Sequence, residues 1–231
     1  MSGVFHKYPR TSHLLWLGEG VPREDKIMSF AQAEQFLSAP VVIEEKVDGA
    51  NLGLSIGPDG RIRAQSRGDY LTPGRCHAQW NPLWPWLATH KHALAAVLGE
   101  KLILYGEWCY ARHSIAYHAL PDWFLAFDIF EKGETAFWSS GRRNAIAAEA
   151  GLWTVPELFR GHMDLAKVPS LIRTSELGAP KMEGIYLRRE AEGRVRARAK
   201  VVGAEFIQQI EQHWTRHPLV PNELGLESHA R

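Results

Sequence analysis

The chain has 231 residues, of which 45% are hydrophobic and 23% charged, with a formal net charge of +1. That length can bury a proper core, and the composition excludes intrinsic disorder. The near-neutral balance excludes a global field drawing the protein onto nucleic acid, so any basic surface has to come from local clusters. Cys76 and Cys109 lie far apart and form no Cys-x-x-Cys pair, which argues against a zinc ribbon or disulfide framework and predicts free thiols. No signal-like N-terminus and no apolar run of membrane-spanning length is present, so the expected location is the cytoplasm, away from membranes. His90-Lys91-His92 has no Asp or Cys beside it and reads as a solvated helix face rather than a metal site.

Residues 1–28 are expected to be irregular, broken by Pro9, Gly18, Gly20 and Pro22, with Tyr8, Leu14, Leu15 and Trp16 available to pack on a core. Ser29 with Gln32 three residues on has the form of a capping box. It starts a helix whose apolar face carries Phe30, Ala33, Phe36 and Leu37, and Pro40 ends it. Val41 to Asp48 then reads as a buried strand, Gly49 as a turn, and Leu52 to Ile56 as the returning strand. A period of two places Glu44, Lys46 and Asp48 on one face, and a lysine flanked by carboxylates is either a salt-bridged surface stripe or a poised nucleophile.

Gly57-Pro58-Asp59-Gly60 is a hairpin turn, Arg61 to Ser66 a half-exposed strand, and Arg67 sits at its tip. Trp80 to Trp86 opens a helix running to about Leu98, its tryptophans sealing the core. Two apolar strands follow, Leu102–Trp108 and Phe124–Phe130, each carrying a carboxylate, and the buried Asp128 requires a partner. Helices are expected over about Arg142–Ala150, capped by Ser140 and closed by Gly151, and over Asp164–Thr174. Glu183–Arg188 and Arg194–Lys200 read as the last strands, and strict alternation in the second puts Arg194, Arg196, Arg198 and Lys200 on one face. That row is either a solvated edge or an anion site for a polynucleotide backbone. Phe206, Ile207, Ile210 and Trp214 follow a helical period, and the tail beyond Pro218 is expected to be loose.

In order, these blocks resemble the covalent nucleotidyltransferase superfamily, and most closely its RNA ligase 2-like family of ATP-dependent polynucleotide ligases, over about residues 41–202. Lys46-Val47-Asp48-Gly49-Ala50-Asn51 is similar to the nucleophile motif and Ser66-Arg67-Gly68 to the next. Tyr105-Gly106-Glu107 resembles the third motif, Phe124 to Asp128 the aromatic motif that sandwiches adenine, Glu183-Gly184 the fourth, and Arg198-Ala199-Lys200 the fifth. The fifth departs from the usual Lys-x-Lys in its first position, where arginine keeps the charge without the compact ammonium.

The resemblance implies an α+β fold, the ATP-grasp-like ligase adenylation or nucleotidyltransferase fold, with antiparallel sheets flanked by helices around a central nucleotide cleft. It implies a single adenylyltransferase domain over residues 1–231, with its core at about 41–202, a lead-in over 1–40 and a helix and tail over 203–231. The oligonucleotide-binding barrel usual in the superfamily does not fit after Val202, which counts against a conventional DNA ligase or a capping guanylyltransferase.

The implied function is ATP-dependent joining of RNA 5′-phosphate and 3′-hydroxyl ends. Lys46 is the implied nucleophile, Asp48 orients it, and Arg198 and Lys200 neutralise charge on the α-phosphate. Arg67 and Glu107 hold the ribose, Phe124 stacks on adenine, Glu45 and Asn51 also contact the nucleotide, and Glu183 binds Mg2+ or Mn2+. Arg194 and Arg196 would guide the strand. The implied partner is RNA, nicked duplex included, with room for a protein supplying end-healing or strand-binding surface. Two other readings stand beside this one: a nick sealer on DNA or hybrid duplexes, and a nucleic-acid-binding relic without turnover.

Overall fold

The capping box forms as the sequence predicts: the Gln32 backbone N–H donates to Ser29 Oγ, and the Ser29 N–H donates to the Gln32 side chain. The helix it starts, α1 (Phe30–Leu37), buries Ala33, Phe36 and Leu37. Phe30 departs from the expected face and is 75% exposed. The computed structural model describes residues 4–19, 27–209 and 218–225, so the expectations for Gly20, Pro22, Ile210 and Trp214 fall outside the described residues.

Among the described residues ten strands form two sheets. The first sheet has the order β10 (Arg194–Val202), β9 (Gly184–Ala191), β1 (Val41–Lys46), β8 (Glu157–Gly161), and all its pairs are antiparallel. The second runs β3 (Ile62–Gln65), β2 (Ala50–Ile56), β4 (Leu102–Trp108), β5 (Phe124–Glu131), β6 (Ala136–Phe137), with β7 (Trp153–Thr154) parallel to β5. β1 is central, which explains why it buries Val41 through Glu45 without interruption.

Each sheet packs helices on its outer face. Leu52, Leu54, Leu104, Phe124 and Ala126 meet Trp86, Leu94 and Leu98 of α2 (Leu83–Leu98) and Ala147 of α3 (Ser140–Glu149). Ile43, Ile185, Leu187, Ala199 and Val201 meet α1 and Val168. The inner faces turn toward each other, and the space between them is the cleft described below. Among the described residues no helix is long and apolar enough to cross a membrane. Both cysteines are free.

Four expectations need correction. Asp164–Thr174 is not an α-helix but a 3-10 turn over Leu165–Leu171, because Pro169 within it has no N–H to continue the α ladder. Ser139, not Ser140, holds the N-cap position of α3. In β10 a bulge leaves Arg196 outside the register, between Val195 opposite Glu190 and Ala197 opposite Arg189, so the four cations do not form one row. Residues 218–225 are docked rather than loose: Asn222 is 5% exposed, and the segment bridges Ala111 and Leu120.

Candidate active site

The two sheets present their inner faces across a cleft of about 350 Å³, lined by β1, β2, β4, β5, β9, β10 and residues 8–11 of the lead-in. β1 brings Lys46 to it. The chain then turns at Gly49, where a Cβ would lie 2.8 Å from the Trp108 carbonyl oxygen, so only glycine lets the turn approach β4 this closely. β2 returns with Asn51 opposite Glu107, which puts both on the inner face of the second sheet. Lys200 enters from β10, opposite Tyr186 of β9. The lead-in pairs with β10 through two backbone bonds, Lys200 N–H to Ser12 O and Leu14 N–H to Lys200 O. Its His6 carbonyl accepts from Tyr105 Oη and Gln65 Nε2, so residues 6–14 strap one sheet to the other over the cleft.

Lys46 Nζ donates to Glu183 Oε2 at 2.5 Å, with the two side chains 28% and 16% exposed. Burial pulls the Lys46 amine down, but Glu183, Glu107 and Asp48 outweigh it and hold the group above its usual range. Glu183 is pushed up by burial, and Glu107 is pushed by burial to about 8 against the opposing pull of Lys46. In the free protein the acidic side chains around Lys46, Glu183 foremost, therefore favour its protonated form. The Asp48 carboxylate accepts the backbone N–H groups of Ser114 at 2.7 Å and Ile115 at 2.9 Å.

Under the cleft lies a buried ionic network. Glu44 accepts from Arg143 at 2.5 Å and Arg188 at 2.7 Å, and Arg188 also donates to Asp128. Tyr8 donates to the other Asp128 oxygen, and Arg198 joins both at 3.1 Å. A bulge in β5 makes this possible. Tyr105 pairs with Asp128 but Gly106 pairs with Ala126, leaving Phe127 outside the ladder. The Phe127 carbonyl, without a ladder partner, accepts from both Arg143 and Arg188. The buried carboxylate of Asp128 thus has the partners that its apolar neighbours require.

The cleft gathers Glu45, Lys46, Asn51, Arg67, Glu107 and Lys200, as expected from sequence. Glu45 Oε1 accepts from Ser175, Oε2 has no partner among the described residues, and burial raises the group to about 7. Arg67 is exposed at the rim, 3.5 Å from the Pro9 carbonyl.

Two placements differ. Phe124 is fully buried on the outer face, with its ring over Gly106 and against Trp86; Phe127 is the cleft-lining aromatic of this strand. Arg198 spends its guanidinium on Asp128 and Tyr8 and lies over the Phe137 ring instead of reaching beside Lys200. The basic row disperses too: Arg194 pairs with Glu131 and Glu134, and Arg196 with Glu192.

Sequence reasoning missed Tyr8, Tyr186 and Arg188, all of which line the cleft. For Arg188 a signal existed, since Asp128 read as a buried acid in want of a partner. Among the described residues no three His, Cys, Asp or Glu groups are placed to enclose a metal ion.

A family model described as RNA ligase matches residues 39–202. No curated protein sequence matches the chain. Solved structures of a Naegleria gruberi RNA ligase are similar in fold. A lysine-to-methionine variant with AMP and Mn is 17% identical at a TM-score of 0.61, covering 89% of this chain and 64% of that one. A glutamate-to-alanine variant with ATP and Mn is 17% identical at 0.59, covering 78% and 54%. The same ligase with PPi is 17% identical at 0.60, covering 89% and 64%. The chain thus spans less than two thirds of the length of these relatives.

Proposed function

The chain belongs to the RNA ligase family, and on that premise we propose that it is an ATP-dependent RNA ligase. It joins 5′-phosphate to 3′-hydroxyl ends through a covalent Lys46-AMP and an adenylylated polynucleotide. The observation that carries the reading is the seat of Lys46: a lysine delivered by a central strand to the inner end of a cleft, bonded to Glu183, facing Glu107 of the other sheet, and sharing the cleft with Lys200 of its own sheet. A surface stripe would leave its lysine in water.

The cleft fits a nucleotide. Asn51 Oδ1 is buried there without a hydrogen-bond partner among the described residues, an acceptor awaiting a donor such as a hydroxyl or amine. It fits a divalent cation bound partly through substrate oxygens, because Glu183 and Glu107 supply two carboxylates and no all-protein cage is needed. A bound cation would supply charge for the α-phosphate and draw the Glu183 carboxylate away from Lys46.

Lys46 acts once its proton is gone. Its amine attacks the α-phosphorus of ATP, the Nζ–P bond forms, and the bond to pyrophosphate breaks. Lys200, on the same sheet as Lys46 and two strands away, neutralises the charge that grows on the phosphate. Arg67 at the rim and Glu107 hold the ribose, and Phe127 takes the adenine-stacking role that the sequence resemblance assigned to Phe124. A 5′-phosphate end then attacks the AMP phosphorus and releases Lys46. In the last step a 3′-hydroxyl attacks the activated end with loss of AMP.

The test is ligation of 5′-phosphorylated single-stranded RNA, nicked duplex RNA and their DNA counterparts with ATP and Mg2+ or Mn2+. The proposal expects sealing of RNA that depends on ATP. Sealing of DNA alone would favour the nick-sealing alternative, and failure of every substrate with adenylylated protein in hand would overturn the ligase reading.

A further inference from the structure

Of the two residues after the nucleophile, Asp48 takes its hydrogen bonds from the loop over residues 109–120, and Val47 packs against the same loop and Leu125 of β5. The Asp48 carboxylate accepts the N–H groups of Ser114 and Ile115, and the Asp48 N–H donates to Tyr117 Oη at 2.9 Å. Val47 packs with Tyr117, Leu120 and Cys109. This loop is itself held by residues 218–225. Five backbone hydrogen bonds join the two segments: Arg112 N–H to Val220 O, Asn222 N–H to Tyr110 O, Glu223 N–H to Tyr117 O, Leu120 N–H to Glu223 O and Gly225 N–H to Leu120 O. The Asn222 side chain spans the loop from inside, taking the Tyr117 N–H at 2.9 Å and donating to the Cys109 carbonyl at 2.7 Å. Leu224 closes the same apolar cluster behind Val47.

We propose that Asn222 is a positioning residue for nucleotidyl transfer: through Tyr117 it fixes Asp48, and with it the turn that aims Lys46 into the cleft. The inference rests on the ligase reading given above. The hydrogen-bond partners of Asn222, Cys109, Tyr110 and Tyr117, do not line the cleft, so its loss leaves ATP its binding site and displaces the nucleophile. Displacements on the scale of 1 Å are enough to cost about 100-fold in rate.

The experiment measures single-turnover labelling of Lys46 across ATP concentrations in wild type, Asn222→Ala, Tyr117→Phe and the pair, with an unfolding curve for each. Tyr117→Phe keeps the ring in its cluster and deletes only the hydroxyl that receives the Asp48 N–H. The limiting rate is expected to fall by about 10- to 100-fold in each single variant, with half-saturating ATP moved by less than about threefold. The pair should be no slower than the slower single variant, since both act along one path. A wild-type limiting rate in folded Asn222→Ala, or losses that multiply in the pair, overturns the proposal. Should Asn222→Ala fail to fold, a wild-type rate in Tyr117→Phe overturns it. If wild type itself takes no label, the ligase reading has failed. Hydrogen exchange at the Asp48 amide then decides this proposal separately: faster exchange in Asn222→Ala or Tyr117→Phe supports the link, and unchanged protection overturns it.

Discussion

The guanidinium of Arg188 on β9 donates to the carboxylate of Asp128 on β5, tying one sheet to the other beneath the cleft. The same guanidinium serves Glu44 and the Phe127 carbonyl, and it is 2% exposed. Arg188→Leu leaves two buried carboxylates short of a cation and is expected to destabilise the protein by about 3–5 kcal/mol, measured by urea unfolding. Arg188→Lys should recover little, because one ammonium cannot reproduce the fork that reaches three acceptors.

Phe124 and Phe127 lie on opposite faces of β5, the first in the core and the second on the cleft. Phe124→Ala should cost about 3–5 kcal/mol of stability, since it empties a site between Gly106 and Trp86. Phe127→Ala should leave the unfolding midpoint much closer to wild type and raise the ATP concentration that half-saturates Lys46 labelling. Equal effects of the two substitutions on nucleotide affinity would contradict this assignment.

A proton should leave Glu107 when a cation or nucleotide binds. Burial pushes this carboxyl up to about 8 in the free protein, against the pull of Lys46. Near pH 7 it is mostly protonated, and a divalent cation favours the ionised form, so binding releases protons. Calorimetry in two buffers of different ionisation enthalpy should show that release, fading as the pH passes above about 8. The stability dependence has a definite sign. A folded value of about 8 above the ordinary 4.5 means that the native state holds the proton more tightly. Its contribution is full below the ordinary value and is lost as pH rises through about 8. Glu107→Gln should flatten the decline in stability over that window.

Local chemistry made much of this readable. The capping box at Ser29, the β-branched run into Lys46, the tight turn at Gly49 and the need of Asp128 for a cation are all decided within a few residues, and the structure agrees with each. What escaped depends on register or on distance along the chain. One extra residue in β10 undoes a period of two, which no propensity announces, and so broke up the row expected from Arg194 to Lys200; in β5 the resemblance named Phe124, while the strand brings Phe127 to the cleft. Tyr8 bonds Asp128 from 120 positions away, and Asn222 reaches Cys109 from 113. Such contacts are chosen by the folded sheets, and the irregular segments that make them carry no periodic signal.

Arg196 illustrates the consequence. It was expected to guide a polynucleotide, but it sits at the bulge and pairs with the exposed Glu192. Arg196→Ala is expected to change stability by less than about 0.5 kcal/mol. RNA affinity and its dependence on salt should stay as in wild type. A shallower salt slope in a filter-binding titration would restore the guiding role.

The central claim is that Lys46 carries AMP. Purified protein incubated with ATP bearing a radioactive α-phosphate and either Mg2+ or Mn2+, beside Lys46→Ala and with GTP as competitor, tests it most directly. The account predicts covalent label on wild type, competed poorly by GTP, absent from Lys46→Ala, and mapping to the peptide that contains Lys46. No label under either metal, from protein whose intact mass shows no AMP already attached, would contradict it.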